Sequence, residues 1–273
     1  MFRGRRTGPV LLPIIFRPRE LFHFAPLWAL TLGLLFATSC TRTATPPRER
    51  ALTIPSTNGV ALSATAFLPS TTRPPGIVLL HSLGTDRAEW SAFARRAQEE
   101  GYLSLAIDLG GHGESQIVNG EQRPFRSFTA DEWPRLADDV NAAHGELVRL
   151  GADPGRIAIM GADIGANLAA LHAASNPIVR ATVLISPGRD YRGIVVGPEL
   201  MRSDKRPMLL LVSEGDTYSA SICSALHKAA PGYSELRSYA GTAHGADLLD
   251  AHPDAVEQIL AWLDTIIGDG PLG

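Results

Sequence analysis

Cysteine is scarce in this chain: Cys40 and Cys223 are the only two among 273 residues. So few exclude a framework of several disulfides and a cysteine-rich metal centre. A surplus of charge of one sign is also lacking. With 25 Lys and Arg against 28 Asp and Glu, the formal charge is -3, which argues against a nucleic-acid partner held by bulk charge. Long apolar runs are missing too: Leu21 to Phe36 is short and interrupted by Pro26, which argues against a membrane-spanning helix. No internal repeat and no second domain are visible. What the chain does have is 45% hydrophobic residues, enough for one α/β domain with a buried core.

The front of the chain reads as an address. Arg3, Arg5, Arg6, Arg17 and Arg19 precede the apolar segment, the pattern of an export signal. It ends in Ala37-Thr38-Ser39-Cys40, which resembles a bacterial lipobox with Ala where Leu is usual three positions before Cys. The expected organisation is a signal peptide over 1–39, a lipidated Cys40 and tether over 40–51, and a folded α/β domain over 52–273. Such a protein is anchored to a membrane of the cell envelope by its N-terminal lipid. Ordinary cleavage to a secreted or periplasmic protein, and an uncleaved anchor, are the alternatives. Pro46, Pro47 and the charges that follow suit a tether. Cys223 reads as a small buried thiol in a helix.

From Leu52 onward, apolar runs of strand length alternate with longer amphipathic segments, as in a parallel sheet covered on both faces. Two alternating strands come first, Leu52 to Pro55 and Ala61 to Leu68, with a turn at Asn58-Gly59. Strands are expected at 77–80, 103–107, 157–160, 181–185, 208–212 and 236–239. Helices are expected from Trp90 to Glu100, from Asp131 to Leu150 with Thr129 as cap, and from Pro253 to Ile267. The fold class is thus α/β, with a mostly parallel central sheet, helices on both faces and no large cap domain.

The stretch from Arg156 to Ala169 reads as a buried strand, a Gly-flanked sharp turn and a helix beginning with small residues. Its Gly161-Ala162-Asp163-Ile164-Gly165 has the form of a nucleophile elbow carrying Asp where Ser is usual. Before it come His81-Ser82-Leu83-Gly84, directly after a strand, and Asp108-Leu109-Gly110-Gly111-His112-Gly113-Glu114-Ser115. After it come Asp216, behind another strand, and Gly241-Thr242-Ala243-His244-Gly245 before the last helix.

In this order the motifs resemble the α/β-hydrolase family, nearest to its small, lidless dienelactone-hydrolase-like and esterase-like members. The resemblance implies the fold and a hydrolase. It assigns Asp163 as nucleophile or water-positioning base, His244 as general base and Asp216 as the acid that orients it, with Glu214 as a competing carboxylate. The backbone N–H groups of Leu83 and Ile164 are the expected oxyanion hole. His112 and His81 are expected to be structural, and His144 and His172 to be packing or surface residues. No metal and no organic cofactor are called for, and the expected substrate is a small-molecule ester or acyl compound.

Asp at position 163 opens three routes. An anionic carboxylate can attack directly, as in the dehalogenases and epoxide hydrolases of this fold. Here, however, Ile164 stands where dehalogenases place Trp, and the gap from Pro187 to Pro207 holds only Tyr191, too little for a helical cap. Alternatively, Asp163 acts with His244 on water or on a substrate with a good leaving group. The rival is a degenerate hydrolase that binds a ligand or partner at the cell envelope, because two anions around one imidazole weaken it as a base. Arg189, Asp190, Tyr191 and Arg192 are either substrate contacts or a polar connection.

Overall fold

The computed structural model describes residues 48–197 and 205–268. The segment expected to be signal peptide, with Cys40 and the start of the tether, lies outside them. Strands β1 (Arg48–Pro55), β2 (Ala61–Leu68) and β3 (Gly76–Leu80) lead into helix α1 (Ser91–Glu99) and β4 (Leu103–Ile107). A small hairpin, β5 (Ile117–Val118) and β6 (Glu121–Gln122), precedes α2 (Leu136–Arg149), β7 (Ile157–Ala162), α3 (Ile164–Ser175) and β8 (Val179–Ile185). A second hairpin, β9 (Asp190–Tyr191) and β10 (Ile194–Val195), is followed by β11 (Met208–Ser213) and α4 (Thr217–Ala229). Strand β12 (Ser234–Tyr239) and helices α5 (Asp247–Ala251) and α6 (Asp254–Ile267) close the domain.

Eight strands form one sheet in the order β1-β2-β4-β3-β7-β8-β11-β12. β2 runs antiparallel to both of its neighbours, and the strands from β4 to β12 are parallel to one another. The central strands β3, β4, β7 and β11 are buried along their whole length. That explains their nearly unbroken apolar sequences, since both faces are covered. Alternate residues feed two cores. Val78, Leu80, Ile159 and Leu210 face α2, α3 and α4, while Ile77, Leu79, Met160 and Leu211 pack with Trp90, Phe93 and Trp262 from the α1 and α6 side. The two rims carry charge: Arg48, Glu49 and Arg50 are exposed on β1, and Glu235 pairs with Arg237 on β12.

Three expectations need correction. Pairing of β1 with β2 starts at Arg48, so the last four residues of the expected tether, 48–51, belong to the sheet. The helix expected from Asp131 starts at Leu136, after a 3-10 turn over Trp133–Arg135. Pro134 accounts for this, because it disfavours helical backbone at the residue before it and offers no N–H. Glu132 does accept hydrogen bonds from the Thr129 N–H and hydroxyl, but it closes a turn rather than the helix. The helix expected from Trp90 is likewise preceded by a 3-10 turn, Arg87–Trp90, capped by Asp86.

Candidate active site

The elbow is built by two glycines that cannot be anything larger. A Cβ on Gly161 would fall on the Gly165 carbonyl, and one on Gly165 would fall on the carbonyl of Leu80 at the end of β3. Strand β7, helix α3 and β3 therefore touch through backbone. Between the glycines, Asp163 takes φ 53° and ψ -119°, a backbone conformation that a residue with a side chain rarely adopts. Its N–H donates to Ile185 O on β8 at 2.9 Å, and its side chain is held above the sheet.

The Leu83 N–H donates to Asp163 Oδ2 at 3.0 Å. Leu83 lies in a turn after β3 in which Thr85 N donates to Ser82 O at 3.2 Å. Gly84 supplies the positive φ of 81° that this turn requires. Ile164 is the first residue of α3, where helix geometry leaves the N–H without a partner inside the helix and concentrates positive dipole. The two backbone groups expected to form an oxyanion hole thus flank Asp163, and the Leu83 donor is already engaged by the carboxylate.

Asp216 caps α4, accepting from Ser219 N at 3.3 Å, and its other oxygen lies 2.7 Å from His244 Nδ1. On the far side of the imidazole, Nε2 is 3.4 Å from Asp163 Oδ1. An imidazole hydrogen-bonded to one carboxylate and facing a second is favoured as the imidazolium. Accordingly the hydrogen bond to Asp163, opposed by burial and supported by Asp216, raises the His244 pKa to about 9. Burial pushes the Asp163 carboxyl upward, but hydrogen bonding from His244, Tyr191 and Leu83 N–H outweighs it and leaves its pKa below the ordinary value. For Asp216, burial is likewise outweighed by His244 and Ser219.

The other residues singled out in the sequence fall into place around this centre. Glu214 is exposed just after β11, and the carboxylate that meets His244 is that of Asp216. His81 is fully buried, donates to Ser82 O at 2.7 Å and accepts from Leu109 N at 3.0 Å, so it ties the Ser82 loop to the Gly110 loop. His112 stacks on Phe125 with ring centres 4.2 Å apart. His144 and His172 are buried and hydrogen-bond each other at 2.9 Å between α2 and α3. Cys223 is buried, and burial raises its thiol pKa to about 12. A cleft of about 650 Å³ lined by Val179, Arg180, Arg206 and Pro207 lies at the opposite ends of the parallel strands, away from Asp163.

Sequence reasoning left Tyr191 undecided and missed the residue that places it. Tyr191 turns its phenol toward Asp163 and Ser219, and burial followed by the Asp163 charge raises its pKa. Its ring packs so closely on Gly188 that a Cβ there would lie 2.6 Å from it. Buried Asn167 on α3 holds both sides of this hairpin, donating to Ile194 O at 2.8 Å and accepting from Gly188 N at 3.1 Å. Its signal was legible as a lone amide in the run of small apolar residues after the elbow. Arg189, Asp190 and Arg192 are exposed, with the Arg192 guanidinium 5.5 Å from the centre of the Trp133 ring.

A family model described as the alpha/beta hydrolase family matches residues 77–268. No curated protein matches in sequence. Among solved structures, a dienelactone hydrolase from Anabaena variabilis is 19% identical with a TM-score of 0.65, over 82% of this chain and 100% of that one. An esterase from Pyrococcus furiosus is 17% identical with a TM-score of 0.63, over 81% of this chain and 94% of its own. A predicted hydrolase from Thermoplasma acidophilum is 16% identical with a TM-score of 0.64, over 81% and 100%. At these identities the likeness is one of fold, and it joins the family match over β3 to α6, the elbow at Asp163 and the order Asp163, Asp216, His244: the chain belongs to the alpha/beta hydrolase family.

Proposed function

We propose that the protein is a hydrolase that cleaves an ester or related acyl bond of a small molecule through a covalent intermediate on Asp163, anchored at the cell envelope by a lipid on Cys40. The supporting observation is the hydrogen bond from Leu83 N–H to Asp163 Oδ2. With that oxygen engaged, Oδ1 is the attacking atom, and the substrate's own carbonyl oxygen has lost this donor. The first step therefore relies on the substrate: Oδ1 bonds to the acyl carbon, and the leaving group departs with the proton of imidazolium His244. A good leaving group is required, because a carboxylate is expelled more easily than an alkoxide.

In the second step, His244 is neutral and faces an intermediate without the Asp163 charge. It takes a proton from water, and the hydroxide adds to Cγ of Asp163. The resulting oxyanion is Oδ2, which already accepts from Leu83 N–H. Collapse releases the acid and restores the carboxylate, while Asp216 keeps Nδ1 of His244 oriented throughout. The hydrolase-named structural neighbours support the reaction class.

The test is a single turnover of a short-chain nitrophenyl ester in ¹⁸O-water followed by mass analysis of the peptide containing Asp163. Label in Asp163 is expected. Hydrolysis without label there would overturn attack of water at Cγ of Asp163 and place it on the acyl carbon instead. A second reading, a degenerate scaffold that binds a ligand, is favoured by the ion-paired resting state of His244 between two carboxylates. Inactivity of the natural protein with activity in Asp163→Ser would select it.

A further inference from the structure

One acidic side chain outside the catalytic trio is committed to the loop that carries Leu83. Glu89 sits in the 3-10 turn before α1. Its Oε1 accepts from Ser82 N at 3.0 Å and from Ser82 Oγ at 3.1 Å, and its Oε2 lies 2.7 Å from Thr85 Oγ1. Ser82 and Thr85 are the first and last residues of the turn whose second residue is Leu83, so a single carboxyl group grips both corners. The Ser82 hydroxyl also packs beside the backbone after His244, since a Cβ on Gly245 would lie 2.6 Å from it. The Ser82 hydroxyl thus has a designated partner in Glu89.

We propose that Glu89 is a positioning residue that aims the Leu83 N–H at Asp163 Oδ2 by fixing both corners of the Ser82–Thr85 turn. The carbonyl side of the turn is held separately, by His81 Nδ1 on Ser82 O; the amide and hydroxyl side depends on Glu89. With its corners released, this half-buried turn can rotate about Leu83 and Gly84, and the N–H leaves the carboxylate. The proposal deepens the reading of Asp163 given above, because it concerns the donor that serves its Oδ2.

The proton inventory of the turn says which replacement should work. Thr85 Oγ1 is within reach of both Glu89 Oε2 and Ser82 O, the latter at 2.8 Å, yet it has one proton to give. A donor at the Oε2 position frees that proton for Ser82 O. Burial does push the Glu89 pKa up. Gln offers the same shape, an acceptor for Ser82 N–H and hydroxyl and a permanent donor for Thr85, so Glu89→Gln should preserve the turn while Glu89→Ala should not.

The measurement is the ¹³C-carboxyl titration of Asp163 in the full-length protein, its signal assigned by loss in Asp163→Asn. Removing one backbone donor from a carboxylate raises its pKa, so Glu89→Ala should raise the Asp163 value by roughly half to one unit and Glu89→Gln should leave it at the natural value. A merely structural glutamate would lower the melting temperature and leave this titration in place, and that result overturns the proposal. If Glu89→Ala does not fold, Thr85→Val and Ser82→Gly each remove one partner of the carboxyl and should give smaller rises in the same direction; no rise in either also overturns it. Label absent from Asp163 in the single turnover, with the titration shifted as expected, would sink the attack of water at Cγ of Asp163 and leave the role of Glu89 standing.

Discussion

His244 Nε2 stands 3.4 Å from Asp163 Oδ1 while its Nδ1 is 2.7 Å from Asp216, so one imidazole answers to two carboxylates of different duty. Of the two, Asp163 contributes most to the raised pKa of about 9, and Asp163 is the one whose charge vanishes when it is esterified. His244 is thereby a proton donor in the resting site and becomes a base as soon as the intermediate forms. Asp163→Asn imitates the uncharged state. Its His244 ring should titrate nearer the ordinary value of about 6.5 in an NMR titration, and Asp163→Ser should show a pH–rate midpoint well below 9. A His244 that still titrated near 9 in the Asn variant would remove the basis for this timing.

The same shift bears on stability at alkaline pH. The folded pKa of His244 lies above that of an unfolded histidine, so its stabilising contribution is complete below about pH 6.5 and disappears as pH rises through about 9. Urea midpoints should fall over that window in the natural protein and fall less in Asp163→Asn. The side chain is nearly half exposed, which keeps the effect modest.

Acid pH acts through different histidines. Burial, then the neighbouring His144 ring, depresses His172 to about 4, and burial alone depresses His144. The unfolded chain therefore takes up protons first, and stability falls as pH drops from about 6.5 through 4. Replacing the pair by two leucines should flatten this loss by on the order of 2 kcal/mol in denaturation curves taken at pH 7 and 4.5. An unchanged pH slope would mean that the pair carries little of the acid sensitivity.

Tyr191 reaches Asp163 only because Gly188 leaves room for its ring. Tyr191→Phe should therefore raise the Asp163 pKa and lower turnover about tenfold, the scale of one hydrogen bond to a charged group. Gly188→Ala should reproduce both effects by displacing the ring. Full turnover in Tyr191→Phe would reduce the hairpin to a structural roof.

Asn167 is buried and satisfies two backbone groups of that hairpin. Asn167→Ala leaves both without a partner at a cost of about 2–4 kcal/mol, and limited proteolysis should cut first between Gly188 and Val196. A variant cut elsewhere, or as stable as the natural protein, would contradict this account.

Much of the frame was legible in the sequence because burial on both faces leaves a plain trace: β3, β4, β7 and β11 read as apolar runs of strand length. The elbow was legible because Gly161 and Gly165 mark backbone contact, and Asp216 and His244 because each follows a strand. What escaped depends on contacts between distant segments. The late start of α2 turns on Pro134, whose effect outweighs the capping signal at Thr129. Tyr191 is placed by an amide on α3, and the corners of the turn around Leu83 bond to a glutamate in the next turn, neither of which any periodicity reveals.

The charges on β1 and β12 matter beyond the single molecule. A sheet of eight strands ends in two rows of backbone groups that could recruit a strand from a neighbour. Here an incoming strand would lie beside Arg48, Glu49 and Arg50 at one rim, or beside the Glu235–Arg237 pair at the other. Both ends of the sheet thus discourage edge-to-edge growth into fibrils, and the strands stay in one enclosed layer.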